Sequence, residues 1–196
     1  MRMNWADGKI RCCWANPKNE RYIRYHDEEW GVPVHDDRKL FEMLILEGAQ
    51  AGLSWSTILK RRKGYRKTFF HFDISRCAGM TDEEMEEIGR TAPIIRNRRK
   101  INSVRQNARA VLAIQKEWGS FSRYLWHFTE NKIIVHHLQD NDDLPASSPL
   151  SEKISDDLKK RGCTFAGPVI IYSFLQAAGI IDDHLESCPF RSTNRT

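Results

Sequence analysis

The run Leu40-Phe41-Glu42-Met43-Leu44-Ile45-Leu46-Glu47-Gly48-Ala49-Gln50-Ala51-Gly52-Leu53-Ser54-Trp55 decides how this chain is read. Asp36 or Asp37 can cap a helix that begins just ahead of it. In that helix Leu40, Met43/Leu44 and Glu47 fall at i, i+3/i+4 and i+7, on one apolar face. A carboxylate is thereby carried toward the interior. Burying it unpaired costs several kcal/mol or forces its pKa up, so such a group has a partner or a task. Two readings stand side by side. Glu47 is a rim acid that reaches water or pairs with an arginine. Alternatively it sits in a pocket walled by Tyr22, Tyr25, Trp30 and Trp55, suited to a flat, cationic ligand that offers hydrogen-bond donors.

Outward from this run, helical signals dominate. Thr81-Asp82-Glu83-Glu84 is a capping box for a helix to about Gly89. Ile101, Val104, Ala108 and Val111/Leu112 keep helical spacing between Arg98 and Trp118, with Gly119 as the stop. Phe121–Phe128 suits a short helix. Ser148-Pro149 opens another that runs to Arg161, and Pro168–Ala178 is a mostly apolar one that ends at Gly179. Ile133-Ile134-Val135 is the one β-like run, residues 140–148 read as a loop, and the segment before Asp36 reads as a loop-rich arm. The expected fold class is all-α.

The 196 residues suffice for one domain with a substantial core. No apolar run approaches the ~20 residues that span a membrane, and the first residues lack a signal-peptide core, so a cytosolic protein is expected. Five cysteines, an odd number, argue against a disulfide framework and for free thiols or metal ligands. A net charge of +5 permits a nucleic-acid partner without requiring one. The basic residues cluster at Lys60-Arg61-Arg62-Lys63 with Arg66 and Lys67, and again from Arg96 to Arg109. Each cluster is either a solvated helix face or a phosphate-binding surface.

His184 and Cys188 stand at i and i+4 and can share one ion if that segment is helical. Cys12, Cys13, His26 and His35 are available to complete the set from the arm. A Cys₂His₂ set leaves no open position and is structural. The segment Lys159–Val169 joins two helices through a glycine-containing turn, and the amides after Gly167 can face a phosphate. It reads as a helix-hairpin-helix element or as an ordinary helix–helix turn.

Together these segments resemble one family, the constitutive bacterial 3-methyladenine DNA glycosylase I of the helix-hairpin-helix superfamily. The resemblance rests on Arg11-Cys12-Cys13-Trp14, on Tyr25-His26-Asp27-Glu28-Glu29-Trp30-Gly31-Val32-Pro33 and on Gln50-Ala51-Gly52-Leu53-Ser54-Trp55. Ile94-Ile95-Arg96, Asn107-Ala108-Arg109-Ala110, Tyr172-Ser173-Phe174 and Asp183-His184 extend it, so it runs from about Arg11 to Cys188. Cys13 departs from it, standing where the family usually has a small residue.

The resemblance implies a single glycosylase domain over residues 1–196, with residues 1–10 as an extension and 159–169 as the hairpin. It implies one structural zinc held by Cys12, His26, His184 and Cys188, stapling the arm to the tail, with Asp182 and Asp183 supporting that shell. It implies that Glu47 bonds the excised base, that Trp55 stacks on it, and that Tyr25, Tyr22, Trp14 and Trp30 line the pocket. Gly167 and Gly162 would meet DNA, and Leu53 would fill the gap left by the flipped base. The implied partner is duplex DNA carrying alkylated adenine, the implied form a monomer, and no lysine stands out for lyase chemistry. Two rivals are a zinc-stapled DNA-binding domain without chemistry and a metal-dependent hydrolase; the second needs an open coordination position.

Overall fold

In the computed structural model, which describes residues 5, 7–140 and 144–194, the central element is helix α2, Asp37–Gln50. Parts of the expected N-terminal extension and of the 140–148 loop lie outside the described residues. Asp36 caps α2 by accepting from the Lys39 amide. The neighbouring acid, Asp37, reaches a different helix: its carboxylate accepts from the amides of Phe121 and Ser122, both at 2.8 Å. Those amides open α7, Phe121–His127, so one aspartate pins two helix starts together. Leu40 through Ala49 are all buried. The single apolar face expected from spacing is therefore a helix enclosed on all sides, as a core helix is.

Around it pack α3 (Trp55–Thr68), α6 (Arg98–Trp118), α7 and α9 (Pro168–Ala177). Short helices α4 (Ile74–Ala78) and α5 (Asp82–Thr91) cover α6, and α8 (Pro149–Lys160) packs on α9. The Thr81/Glu84 capping box, the left-handed Gly119 stop and the Ser148-Pro149 start all form as the sequence indicates. Among the described residues no helix is long and apolar enough to cross a membrane.

Two expectations change. The arm contains a helix, α1, over Glu20–Glu28, capped by Asn19. Its buried residues are Tyr25 and His26 rather than aliphatics, and charged residues dominate the rest, so it lacks the aliphatic stripe that marks the other helices. The chain also carries a small parallel ladder, with β1 (Ile134–Val135) registered on β2 (Ile181–Asp182) and a further bridge from Leu138 to Leu185. This ladder fixes the backbone on which Asp182, Asp183 and His184 stand.

Some of the clustered basic residues are spent inside the fold, while Lys60, Arg61, Lys63, Lys67, Arg98 and Arg99 stay exposed. Arg62 is buried and donates to Glu42 at 2.6 Å and to Glu29 at 2.9 Å, and Arg66 also reaches Glu42. From α6, Arg109 donates to the Ala78 carbonyl and Arg105 to Met80, both just past the end of α4 or in its last turn. Cations there meet the negative end of a helix dipole.

Candidate active site

Glu47 lies in the last turn of α2, buried to 5% exposure. Among the described residues no donor and no cation pairs with it. Burial alone pushes its carboxyl up to about 8. This is the buried reading of the acid, not the rim reading.

The walls are aromatic. Trp55 opens α3, whose start is capped by Ser54, and its ring lies 5.1 Å from that of Tyr25 on α1. Trp14, from a turn in the arm, meets Trp30 edge-on at 4.7 Å and Tyr22 at 5.6 Å. These five rings and Glu47 line one cavity of about 250 Å³. That is smaller than the ~300–1,000 Å³ of drug-sized sites and suits a single heterocycle. The indole N–H groups of Trp14 and Trp55 are buried without an acceptor among the described residues. Burial raises the Tyr25 hydroxyl well above its ordinary value, and the nearby Glu47 carboxylate acts in the same direction.

Gln50, Ser173 and Gln176 also line the cavity, and the sequence reading did not single them out. Ser173 and Gln176 are polar residues three apart on the apolar helix α9, a spacing that puts both on one face. The Gln176 amide donates to Asp183 at 2.6 Å, and Asp183 also accepts from the Tyr172 hydroxyl at 2.6 Å. His136 meets its other oxygen at 2.6 Å. Asp183 therefore orients the pocket wall and does not touch the cysteine–histidine cluster, unlike the sequence-based expectation. Asp182 bonds the His184 ring at 2.8 Å.

Below the aromatic wall, ligand atoms of Cys12, His26 and Cys188 lie within 4.8 Å of one another, all buried. The His184 ring is 5.1 Å from that of His26, but its nitrogens are not within that distance of all three. Its Nε2 is buried and has no partner among the described residues, while Nδ1 is held by Asp182. His26 is oriented likewise: Nδ1 bonds Asp27 at 2.8 Å, and Arg11 fixes Asp27 through two further bonds. A carboxylate behind each imidazole is the usual support of a metal ligand. Although burial pushes the Asp182 carboxyl up, hydrogen bonds from His184 and Ser192 hold it well below the usual range. The hydrogen bond from Cys12, with His26 helping, pushes the Cys188 thiol down from its usual range. Cys13 is exposed, and His35 stacks on Trp126, so neither joins the cluster. The segment from His184 to Cys188 is not helical, so the i, i+4 argument was not what brings these two residues together. The ladder and the turn after it do so.

Trp14 and Trp30 lie against both sites, 5.1 Å from His26 and 4.5 Å from His184 respectively. Gly31 sits beside them with φ +71, and a Cβ there would lie 2.7 Å from the His184 ring. Gly31→Ala is expected to lower the melting temperature by several degrees. The left-handed backbone alone costs about 1–2 kcal/mol before the clash is counted. Calorimetry of the variant checks this, and an unchanged transition would refute the close approach.

Of the residues expected to meet DNA, Leu53 lines a cleft shared with Glu47 and Gln50, whereas Gly162 lines a separate depression beside Arg105 and Arg161. Leu53, in the loop after α2, is 39% exposed. Lys100 braces that loop by donating to the carbonyls of Ala49 and Ala51 at 2.9 and 2.6 Å. Gly162 (φ +93) and Gly167 flank the turn from α8 to α9, and a Cβ at either would meet nothing within 4 Å. Asn107 holds this turn in both directions, accepting from the Thr164 amide at 2.8 Å and donating to its carbonyl at 3.0 Å. The amides of Val169 and Ile170 have no acceptor inside α9.

Comparison with known proteins agrees with this geometry. Residues 14–192 match the model of the methyladenine glycosylase family. The chain is 42% identical to a DNA-3-methyladenine glycosylase of Haemophilus influenzae, over 93% of this chain and 98% of that protein. It is 44% identical to DNA-3-methyladenine glycosylase 1 of Escherichia coli, over 91% and 95%. A crystal structure of a 3-methyladenine DNA glycosylase I superposes with a TM-score of 0.88 at 46% identity, covering 91% of this chain and 97% of that one. A Staphylococcus aureus structure described as the basis of 3-methyladenine recognition superposes with a TM-score of 0.89 at 35% identity, covering 92% and 96%. A little-stranded helical fold, a base-sized aromatic cavity and a match over nearly the whole chain converge: the protein belongs to the methyladenine glycosylase family.

Proposed function

We propose that the protein is a monofunctional DNA glycosylase that flips N3-methyladenine out of alkylated duplex DNA and hydrolyses its glycosidic bond. The observation that carries this reading is Glu47, buried with no partner among the described residues in an aromatic cavity the size of one base. A base inside a duplex is out of reach of such a cavity, so the nucleotide must leave the stack. Leu53 fills the gap, and the amides beyond Gly167, with Gly162 shaping the turn, hold the backbone.

Burial keeps the Glu47 proton on at neutral pH in the empty pocket. N3-methyladenine in DNA is a cation and supplies the missing counter-charge. Glu47 then ionises, its proton leaves to solvent, and the carboxylate accepts from the exocyclic amine. Trp55 stacks on the ring and gains on the order of 1–2 kcal/mol from the cation when desolvated. Neutral adenine brings no charge and leaves Glu47 protonated. As the C1′–N9 bond breaks, its electron pair moves into the ring and the base departs neutral. Water adds to C1′ and loses its proton to solvent. Asp183 already receives three donors and is closed to the sugar.

The cysteine–histidine cluster fits a zinc ion held by Cys12, His26, Cys188 and His184, whose unpartnered Nε2 is the observation that favours it as the fourth ligand. When bound, the ion cross-links arm, α1 and tail and supplies no chemistry at the base. Four protein ligands leave no open position, which disfavours the hydrolase rival. The working form in this reading is a monomer in the cytosol.

Duplex DNA treated with N-methyl-N-nitrosourea tests the assignment. Release of 3-methyladenine, resolved by chromatography, is the expected result. Failure of folded protein to release any base would leave a non-catalytic DNA binder instead. Affinity for the duplex should fall steeply as salt rises, and a flat dependence would count against backbone gripping.

A further inference from the structure

Three large hydrophobic side chains are exposed among the described residues: Ile10, Leu53 and Val169. Single exposed apolar residues are ordinary. Two of these three, however, line one cleft of about 180 Å³ together with Glu47, Gln50, Ile170 and Ser173. Glu47, Gln50 and Ser173 also belong to the aromatic cavity, so the cleft continues from it. Leu53 comes from the loop after α2, and Val169, 55% exposed, from the first turn of α9.

We propose that Val169 is a second apolar contact to DNA, facing Leu53 across the cleft and packing against the sugar and neighbouring base step of the extruded nucleotide. This rests on the glycosylase reading above. A base seated against Glu47 remains tethered to its deoxyribose, which must then occupy the continuation of the cavity. That continuation is flanked by Leu53 on one side and Val169 on the other. Val169 also stands beside the free amides of α9, so a phosphate held there places the adjoining sugar within reach of its methyl groups. Removing apolar surface from water at this contact favours the distorted strand over intact duplex, which has nothing to put there. Val169 is a positioning residue and takes no part in bond breaking.

The test compares Val169→Ser, which removes the apolar surface, with Val169→Ile, which keeps it. The position is exposed, so both variants fold. On nitrosourea-treated duplex, Val169→Ser is expected to lose about tenfold in kcat/KM and Val169→Ile to stay near wild type. Binding of free 3-methyladenine, followed by tryptophan fluorescence, is expected to stay unchanged in both, as is the salt slope of duplex binding. Combining Val169→Ser with Leu53→Ser should cost less than the product of the single losses, because the two side chains grip one strand. Full activity of Val169→Ser on duplex would overturn the proposal, and so would an equal loss of free-base binding or a shallower salt slope. If the wild type releases no base at all, the glycosylase reading fails first, and the two failures remain distinct.

Discussion

Glu47→Gln is expected to keep its fold, to lose on the order of 10²-fold in 3-methyladenine excision, and to become more stable than wild type in alkaline solution. The amide keeps the shape of the acid but cannot ionise, so the cationic base finds no counter-charge. Stability moves the other way. In the unfolded chain a glutamate titrates near its model value of 4.5, whereas burial puts Glu47 near 8. Between those values the folded state holds more protons, so wild-type stability falls as pH rises through the window, by up to about 1.4 kcal/mol per pH unit. Glutamine has nothing to titrate. The gap in melting temperature between variant and wild type should therefore widen from about pH 5 to pH 8 and then level off. Wild-type turnover by Glu47→Gln would sink the assigned role. A gap independent of pH would show that Glu47 is not desolvated.

The second large effect is expected at Cys188. Cys188→Ala should remove zinc and lower the melting temperature together, by on the order of 10 °C. That corresponds to a loss of about 3 kcal/mol or more in a protein of this size. Cys188 is fully buried on the tail while Cys12 and His26 belong to the arm and α1, so the proposed ion would bridge segments more than 150 residues apart. A chelator should destabilise the wild type and leave the variant unaffected. Elemental analysis decides: unchanged zinc content in Cys188→Ala would refute the ligand set. His184→Ala makes the finer test, because retained zinc there would assign the ion to Cys12, His26 and Cys188 without it.

The helices α2, α5 and α8 were readable in the sequence because their start signals are local. Asp36, Thr81 and Ser148 each bond an amide within three residues. α1 was not readable, since its buried face is Tyr25 and His26 and its charged residues read as an exposed arm. β2 was not readable either. Its two residues pair with Ile134 and Val135 far upstream, and no local period marks so short a strand. In the site, Glu47 showed itself as an acid on an apolar helix, and Trp55 as part of a motif. Gln176 did not, because its meaning depends on Asp183 turning the amide. Nor did Arg62 and Arg66, whose charges look available in sequence and are consumed by Glu29 and Glu42 in the fold.

Lys100 and Asn107 carry a last consequence. Both project from α6, seven residues apart, one gripping the loop that bears Leu53 and the other the turn before α9. Seven residues of α-helix measure roughly 10 Å and scarcely stretch. On the proposed reading the protein would meet DNA with a calliper of fixed opening, and whatever accommodation is needed would fall on the nucleic acid. Sequences or lesions that bend and unstack cheaply reach the jaws at little cost, while stiff, intact helix bears the whole deformation energy. Mechanical compliance of the DNA becomes a filter that acts before any atom of the base is inspected.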